Sequence, residues 1–194
     1  PEILPTATVG VPYPPITFSS TGTPPFAYQS AFLPIGMNVV DGRLVGTPTY
    51  FGSGTYNPVV YVTDAKGCSG TRTYSLTLNR PPTARCQNVT VPYGPGCVAN
   101  ASVDNGSSDP DGNPVTVSQS PNGPYPLGVT SVILTVTDSH GASSQCAATV
   151  TVVDSVAPVF PVAPSGVDVR ATPGSTSATV AFATPTATDA CGGA

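Results

Sequence analysis

The stretch VVYVTDAKG at residues 59–67 recurs as ILTVTDSHG at residues 133–141, and this repeat decides the fold. In both copies apolar side chains alternate with polar or aromatic ones, which is the period of a half-buried β-strand. The aspartate can accept bonds from backbone donors two residues further on, and the glycine supplies the positive φ that closes a turn. A second alternating segment follows each copy, at residues 73–78 and 148–153. Each copy therefore predicts a β-hairpin.

The composition also indicates an all-β chain. Pro (24) and Gly (20) make up more than a fifth of the 194 residues, and the sequence contains no Trp. Frequent prolines exclude long helices, because each removes a backbone donor and clashes with the preceding turn. The hydrophobic fraction is 39%, and its alternation with Thr and Ser favours folded strands over disorder.

Turn signals separate a series of short strands along the chain. In the first part we predict strands around residues 7–10, 15–19, 26–30, 38–40, 43–45, 55–63 and 71–78. In the second part we predict strands around residues 87–92, 97–103, 115–119, 130–137 and 145–153. Short strands with turns every 8–12 residues are typical of two packed antiparallel sheets.

The segments that follow the two hairpins indicate the domain boundaries. Each hairpin runs into a proline-containing linker, at residues 80–82 and 155–158, and a new alternating segment follows. We therefore predict module one at residues 1–79, module two at 80–154, and an incomplete module three at 155–194 that lacks a closing hairpin. The predicted fold class is all-β, with tandem immunoglobulin-like antiparallel β-sandwiches.

Module one carries a set of motifs that spans most of its length. They are LPxAxVGxPY from Leu4, GTPPFxY from Gly22, LPxGM from Leu33, GTP from Gly46 and VTD from Val62. On these motifs the module resembles the immunoglobulin-like domains common in bacterial surface proteins.

Module two is similar to hyalin repeats. The matching features are Cys86, Cys97, the YPLGVT motif at residues 125–130, the Thr137-Asp138 hairpin and Cys146, whereas the family's cysteine after the second strand is absent. Module three begins like another hyalin repeat, on the segments 167–169, 178–182 and 185–193, without its first two cysteines. These resemblances imply an extracellular architecture and adhesion-type roles, with no catalytic residues to carry over.

Geometry suggests pairings for four of the five cysteines. Cys86 lies beside the first predicted strand of module two and Cys146 lies on the last, and these two strands are close enough in a sandwich for a disulfide. Cys97 lies at the end of module two that faces module three, and Cys191 lies in a loop of module three that should face module two. We therefore expect a second disulfide between these two modules. Cys68 is left as a free thiol or an intermolecular partner. Widely spaced cysteines favour an oxidising, extracellular compartment.

The loop after residue 103 suggests a calcium site. Asp104, Asp109, Asp111 and Asn113 present alternating oxygen-bearing side chains around a tight glycine turn, which suits a hard cation. In a sandwich this loop lies at the same end as the last hairpin turn, so Asp138 completes the predicted set. The alternative is that these side chains only bond their own backbone in Asx-turns.

Several classes of function are disfavoured. Six basic residues against ten acidic ones do not provide the basic surface that nucleic acid or an anionic membrane requires, and no apolar run is long enough for a membrane span. The single histidine, His140, falls at a hairpin tip, where a catalytic triad lacks an enclosure. We therefore expect no enzyme activity.

Four aromatic residues lie close together in the second half of module one. Tyr50, Phe51, Tyr56 and Tyr61 suggest either a carbohydrate-binding face or core packing, and core packing is preferred because the sandwich has no Trp.

We expect a non-catalytic extracellular spacer or stalk of a cell-surface protein. The expected partners are other modules or subunits of the same array, together with a carbohydrate or host-surface ligand. One alternative is a self-assembling filament subunit, whose incomplete sandwich is completed by a neighbour's strand. Another is an accessory domain of a secreted hydrolase.

Overall fold

The computed structural model describes residues 1–49, 54–160, 166–181, 184 and 186–191. Every regular element within these ranges is a β-strand, which confirms the all-β fold class. Over the same ranges, no helix is long and apolar enough to cross a membrane.

Module one is a sandwich of two sheets. Its strands are β1 (Glu2–Ile3), β2 (Ala7–Thr8), β3 (Ile16–Thr17), β4 (Ala27–Ala31), β5 (Met37–Val40), β6 (Arg43–Gly46), β7 (Gly54–Tyr56), β8 (Val59–Thr63) and β9 (Ser69–Asn79). The larger sheet has the order β1-β9-β8-β4, with β2 and β7 also paired to β9. The smaller sheet has the order β3-β6-β5.

The core of module one lies between these two sheets. Alternate residues of β9 are buried, including Leu76 and Leu78, and they meet Leu44 of the smaller sheet. Leu76 and Leu44 are fully buried, and burying a leucine of this kind stabilises a fold by about 2 kcal/mol. The rings of Phe18 and Tyr74 add an aromatic contact, with centroids 5.0 Å apart. The alternation of apolar and polar residues in the sequence thus determines which face of each strand is buried.

The single strand predicted over residues 55–63 is wrong, because the structure divides this segment into β7 and β8. The break falls at Pro58, which has no backbone N–H to donate to a ladder. Its carbonyl instead accepts a hydrogen bond from the backbone N–H of Tyr74, at 2.9 Å. As a result, β7 pairs with the second half of β9 and β8 with the first half.

Module two repeats the same plan. Its strands are β10 (Val89–Pro92), β11 (Val98–Ala99), β12 (Val115–Ser120), β13 (Tyr125–Pro126), β14 (Gly128–Asp138) and β15 (Ser143–Val153). One sheet has the order β10-β15-β14-β12, and β11 pairs with β13 in a second, two-stranded sheet. Buried side chains of β14 and β15 form the core together with Val103 and Tyr125.

The first strand of each module runs parallel to the last. In module one, β1 and β2 both pair in parallel with β9, and in module two β10 pairs in parallel with β15. The other pairings between strands are antiparallel. Because the first and last strands point the same way, the chain enters each sandwich at one end and leaves it at the other.

Module three contributes little regular structure among its described residues. An isolated bridge joins Val159 to Thr188, and nearly all the other described side chains after residue 155 are exposed. The alternation at 167–169 does not produce a paired strand, because a strand needs a neighbour to satisfy its backbone groups. Parts of the two later segments of the hyalin resemblance, at 178–182 and 185–193, lie outside the described residues.

Candidate functional site

Both copies of the repeated hairpin close with the same turn. The Oδ1 atom of Asp64 accepts hydrogen bonds from the backbone N–H groups two and four residues further on, both at 2.9 Å. The Oδ1 atom of Asp138 does the same, at 2.8 and 2.9 Å. The third residue after each aspartate is a glycine with positive φ, whose N–H donates to the aspartate carbonyl. This is the turn that the sequence repeat predicts.

The second carboxylate oxygen distinguishes the two turns. In module one, Oδ2 of Asp64 accepts from the backbone N–H of Thr23, at 3.2 Å, within the same module. In module two, Oδ2 of Asp138 accepts from the side-chain amide of Asn79, at 2.7 Å. Asn79 is the last residue of β9 and is 1% exposed, and Asp138 is 6% exposed. The turn of module two is therefore bonded directly to module one.

The predicted ligand loop folds around the carboxylate of Asp109. Its Oδ1 atom accepts from the backbone N–H groups of Asp111, at 2.8 Å, and Asn113, at 3.1 Å. These bonds form an Asx-turn, which is the alternative weighed from the sequence. The turn also orients Asn113, whose Nδ2 atom donates to Oδ1 of Asn79 at 3.1 Å.

An ion pair joins the linker to the same loop. The Nε atom of Arg80 donates to Oδ1 of Asp111 at 2.5 Å, and the backbone N–H of Arg80 donates to Oδ2 at 2.6 Å. The guanidinium also donates to the carbonyl of Pro110. The two side chains are 21% and 10% exposed, so solvent screens this pair less than a surface pair. We call the whole set the junction network; its members are Asn79, Arg80, Asp109, Asp111, Asn113 and Asp138.

One oxygen of the junction network is left over. Among the residues that the structure describes, nothing donates a hydrogen bond to Oδ2 of Asp109, although this atom is buried. The network also holds three carboxylates but only one guanidinium, which pairs with Asp111. Buried carboxylates need partners, so the arrangement is short of positive charge.

Asp104 lies in a separate turn. Its backbone forms an isolated bridge with Cys86, and its Oδ1 atom accepts from the backbone N–H of Ser107 at 3.1 Å. The side chain of Ser107 and the neighbouring backbone N–H groups lower the pKa of Asp104. The structure thus brings four of the five predicted ligands into one network and gives Asp104 other partners. Sequence reasoning missed Asn79 and Arg80, whose one signal is their position directly before Pro81-Pro82.

Four cysteines form two disulfides. Cys86 is bonded to Cys146, with Cα atoms 6.1 Å apart, and Cys97 to Cys191, with Cα atoms 5.4 Å apart. These are the two pairs named from the sequence. The first fastens the start of module two to β15, and the second links module two to the described end of module three. Cys68 is an exposed free thiol.

The other residues singled out in the sequence lie apart from the junction network. His140 is exposed at its hairpin tip. Tyr56 packs against the core of module one, whereas Tyr61 is 39% exposed, because it alternates with inward-facing neighbours on β8. The expectation of core packing is therefore wrong for Tyr61. Tyr50 and Phe51 lie outside the described residues.

A cleft of about 330 Å³ opens beside the turn of module one. Phe26 and Tyr28 line it, with ring centroids 6.5 Å apart, next to Asp64 and Arg72. Both charged groups already have partners, since Asp64 holds its turn and Arg72 forms an ion pair with Glu2 at 3.0 Å.

The pH dependence of module one should report on the turn at Asp64. Hydrogen bonds from the backbone N–H groups of Thr23 and Cys68 hold the pKa of Asp64 below its ordinary value. A pKa that is lower in the folded state gives stability that is present above the unfolded pKa, about 4, and is lost as pH falls through the folded pKa. We expect Asp64→Asn to flatten the fall in Tm of module one below about pH 4.

Thermal unfolding between acidic and neutral pH, followed by circular dichroism, measures this effect. Asp104→Asn is the control, because it removes a similarly stabilised carboxylate from module two and should leave the profile of module one unchanged. An identical acid profile for Asp64→Asn and the unmodified protein would show that the turn carboxylate is not responsible.

Comparison with known proteins identifies the first module. Residues 2–79 match the family described as "Putative Ig domain", so the chain contains an immunoglobulin-like domain. No curated protein matches the chain.

The solved structures to which this chain is similar include proteins of different kinds. Titin domains I67–I69 (an E-to-A variant) are 14% identical with a TM-score of 0.46, and the match covers 84% of this chain and 66% of that one. The human desmocollin-1 ectodomain is 12% identical with a TM-score of 0.35, covering 76% and 38%. An endo-fucoidan hydrolase of glycoside hydrolase family 107 is 16% identical with a TM-score of 0.39, covering 80% and 28%. This chain thus spans less than two thirds of the length of each of these three structures.

Proposed function

We propose that this chain is a non-catalytic spacer, or stalk, of an extracellular surface protein, in which successive sandwiches are held in a fixed relative orientation. The observation that carries the proposal is the junction network. The last residue of module one, the first residue of the linker, a loop of module two and its last hairpin turn are joined by hydrogen bonds and an ion pair. A linker that served only as a flexible tether would not need these bonds.

The path of the chain supports the same role. Because first and last strands are parallel in both modules, each sandwich is entered at one end and left at the other. Modules built in this way add end to end and separate whatever is attached to the two ends. An exposed His140 at a hairpin tip suits such a structural role better than catalysis.

The second junction is fixed by a covalent bond. The Cys97–Cys191 disulfide crosses from module two to module three, and disulfides of this kind persist in oxidising compartments outside the cytosol. This supports an extracellular location. We also propose that modules two and three are hyalin-repeat-like domains. The proposed partners are neighbouring modules or subunits of the array, together with a carbohydrate or host-surface ligand.

Removing the ion pair of the junction network should allow modules one and two to move relative to each other. We expect Arg80→Ala to free module one from module two, because the linker then loses the side-chain bonds of Arg80 to Asp111 and to the carbonyl of Pro110 and keeps only the bond from its backbone N–H. Nitrogen relaxation of backbone amides gives a rotational correlation time for each module, and small-angle X-ray scattering gives the maximum dimension. The intact protein should show one shared correlation time, and Arg80→Ala two shorter ones.

Arg72→Ala is the matched control for this experiment. Arg72 also forms an ion pair, with Glu2, but it is largely exposed within module one, so its loss should leave the shared correlation time unchanged. Independent tumbling of the two modules in the unmodified protein would refute a fixed orientation. Fibres of the purified protein in electron micrographs would favour the filament subunit over the spacer.

A further inference from the structure

The junction network contains two aspartates that use their carboxylates in the same way. Asp109 and Asp138 each commit Oδ1 to two backbone N–H groups of their own turns. Their Oδ2 atoms differ, because Oδ2 of Asp138 accepts one bond from Asn79 and Oδ2 of Asp109 accepts none from the described residues. Asn79 and Asn113 are bonded to each other and link the two carboxylates.

The charges of this region do not balance. Arg72 pairs with Glu2 and Arg80 with Asp111, whereas the hydrogen bonds described above for Asp109 and Asp138 come from backbone N–H groups and from the Asn79 amide. Asp138 is 6% exposed, and Oδ2 of Asp109 is buried. A buried carboxylate oxygen without a donor is strongly unfavourable unless an ordered water or an ion satisfies it. A cation beside Oδ2 of Asp109 would supply such a partner and would also offset the negative charge of the two carboxylates.

The available donors suit a hard divalent cation. All are oxygens from carboxylates and carboxamides, without a histidine or a thiol, and calcium binds such sets with six to eight oxygens in variable geometry. Half-turn rotations of the Asn79 and Asn113 amides would preserve their mutual hydrogen bond with donor and acceptor exchanged. Oδ1 of Asn79 would then lie beside Oδ2 of Asp138 as a further ligand. Magnesium is less suitable, because it demands a nearly regular octahedron and retains its waters.

We propose that the junction between modules one and two binds one calcium ion through Oδ2 of Asp109, Oδ2 of Asp138 and the side-chain oxygens of Asn79 and Asn113, with water completing the shell. No group of three or more acidic, histidine or cysteine side chains in the described part of the chain is placed to hold a metal. The proposed set does not need such a group, because it combines two carboxylates with two carboxamides. Asp111 remains paired with Arg80, and Asp104 is not a ligand.

This ligand set spans the module boundary. Asn79 belongs to β9 of module one, whereas the other three ligands belong to module two. Calcium should therefore stabilise the two modules together. Binding is also separable from the proposed spacer role, since the ion pair of Arg80 can fix the orientation without calcium.

Calorimetric titration of the chelator-treated full chain with calcium chloride tests the site. We expect one ion per chain, with a Kd of about 0.1–1 mM, the range of extracellular modules. Calcium at about 10 mM should raise the Tm by roughly 5 °C, and magnesium at the same concentration should raise it less. Asp109→Asn, which preserves the shape of the side chain, should weaken binding at least tenfold.

Asp104→Asn is the matched control, because it removes a carboxylate of the same loop that lies outside the network, and it should bind calcium like the unmodified chain. Asp138→Asn is the second test, with circular dichroism in chelator to verify that it folds. No heat and no rise in Tm with calcium would overturn the proposal. So would binding that survives Asp109→Asn and Asp138→Asn, or that is lost in Asp104→Asn.

Discussion

Replacing Asn79 by alanine is expected to lower the free energy of unfolding by about 3 kcal/mol. The Asn79 side chain is 1% exposed and bonds two partners, Oδ2 of Asp138 and Nδ2 of Asn113. Alanine leaves both without a partner, and the first is a buried charged oxygen. Hydrogen bonds to charged groups contribute about 1.5–3 kcal/mol, and an unsatisfied buried partner adds to the loss.

Urea unfolding in the presence of a chelator measures this effect, with circular dichroism and tyrosine fluorescence recorded together because two modules need not unfold in one transition. Asn38→Ala is the control, since Asn38 is an exposed residue of β5, and it should change stability by less than about 0.5 kcal/mol. If the two variants lose equal amounts, the hydrogen bonds of Asn79 contribute nothing beyond an exposed side chain.

Removal of the Cys86–Cys146 disulfide should produce the largest loss in module two. The bridge joins residues 60 apart in sequence, and in the chain-entropy account a loop of that size contributes about 4 kcal/mol. Both cysteines also pack against the core of the module. For Cys86→Ala combined with Cys146→Ala we expect the Tm of module two to fall by on the order of 20 °C.

The second disulfide provides the control. Cys97 and Cys191 are 94 residues apart, but the segment that they tie to module two is mostly exposed where it is described. Replacing both by alanine should therefore shift the Tm of module two by only a few degrees, while proteases cut residues 155–191 faster. Equal losses for the two pairs would mean that the junction with module three governs the stability of module two.

The hairpins are the part of the fold that the sequence predicts best. In the Asp64 and Asp138 turns, the aspartate and the glycine act within five residues, so local chemistry is sufficient. The two-residue strands β1 and β13 are too short to show a period: β1 forms because the longer β9 offers free ladder positions, and β13 pairs with the equally short β11. Whether β10 runs parallel or antiparallel to β15 is decided by long-range packing, which periodicity does not encode.

The candidate site is only partly readable from the sequence for a similar reason. Asp109, Asp111 and Asn113 lie in one short loop, and sandwich topology brings Asp138 to the same end. Asp104 is also predicted as a ligand because it is an acidic residue near this loop, although its hydrogen bonds are formed inside another turn. Asn79 and Arg80 have no motif of their own. Asn79 and Arg80 act through a contact between two modules. Patterns of neighbouring residues in the sequence indicate local structure and do not reveal such a contact.

The parallel pairing of first and last strands has a mechanical consequence. Once the Cys86–Cys146 bond is reduced, tension on the two ends of module two pulls β10 and β15 in opposite directions along their common axis, so the four residue pairs from Val89–Val150 to Pro92–Val153 are loaded at the same time. A ladder sheared in this way must lose its hydrogen bonds together, whereas a hairpin peeled from its open end loses them one by one. While the Cys86–Cys146 bond is intact, the force passes directly from Cys86 to Cys146, so the residues between them, β10 included, lie outside its path. Stretching this chain should therefore meet high resistance and yield little extra length from module two.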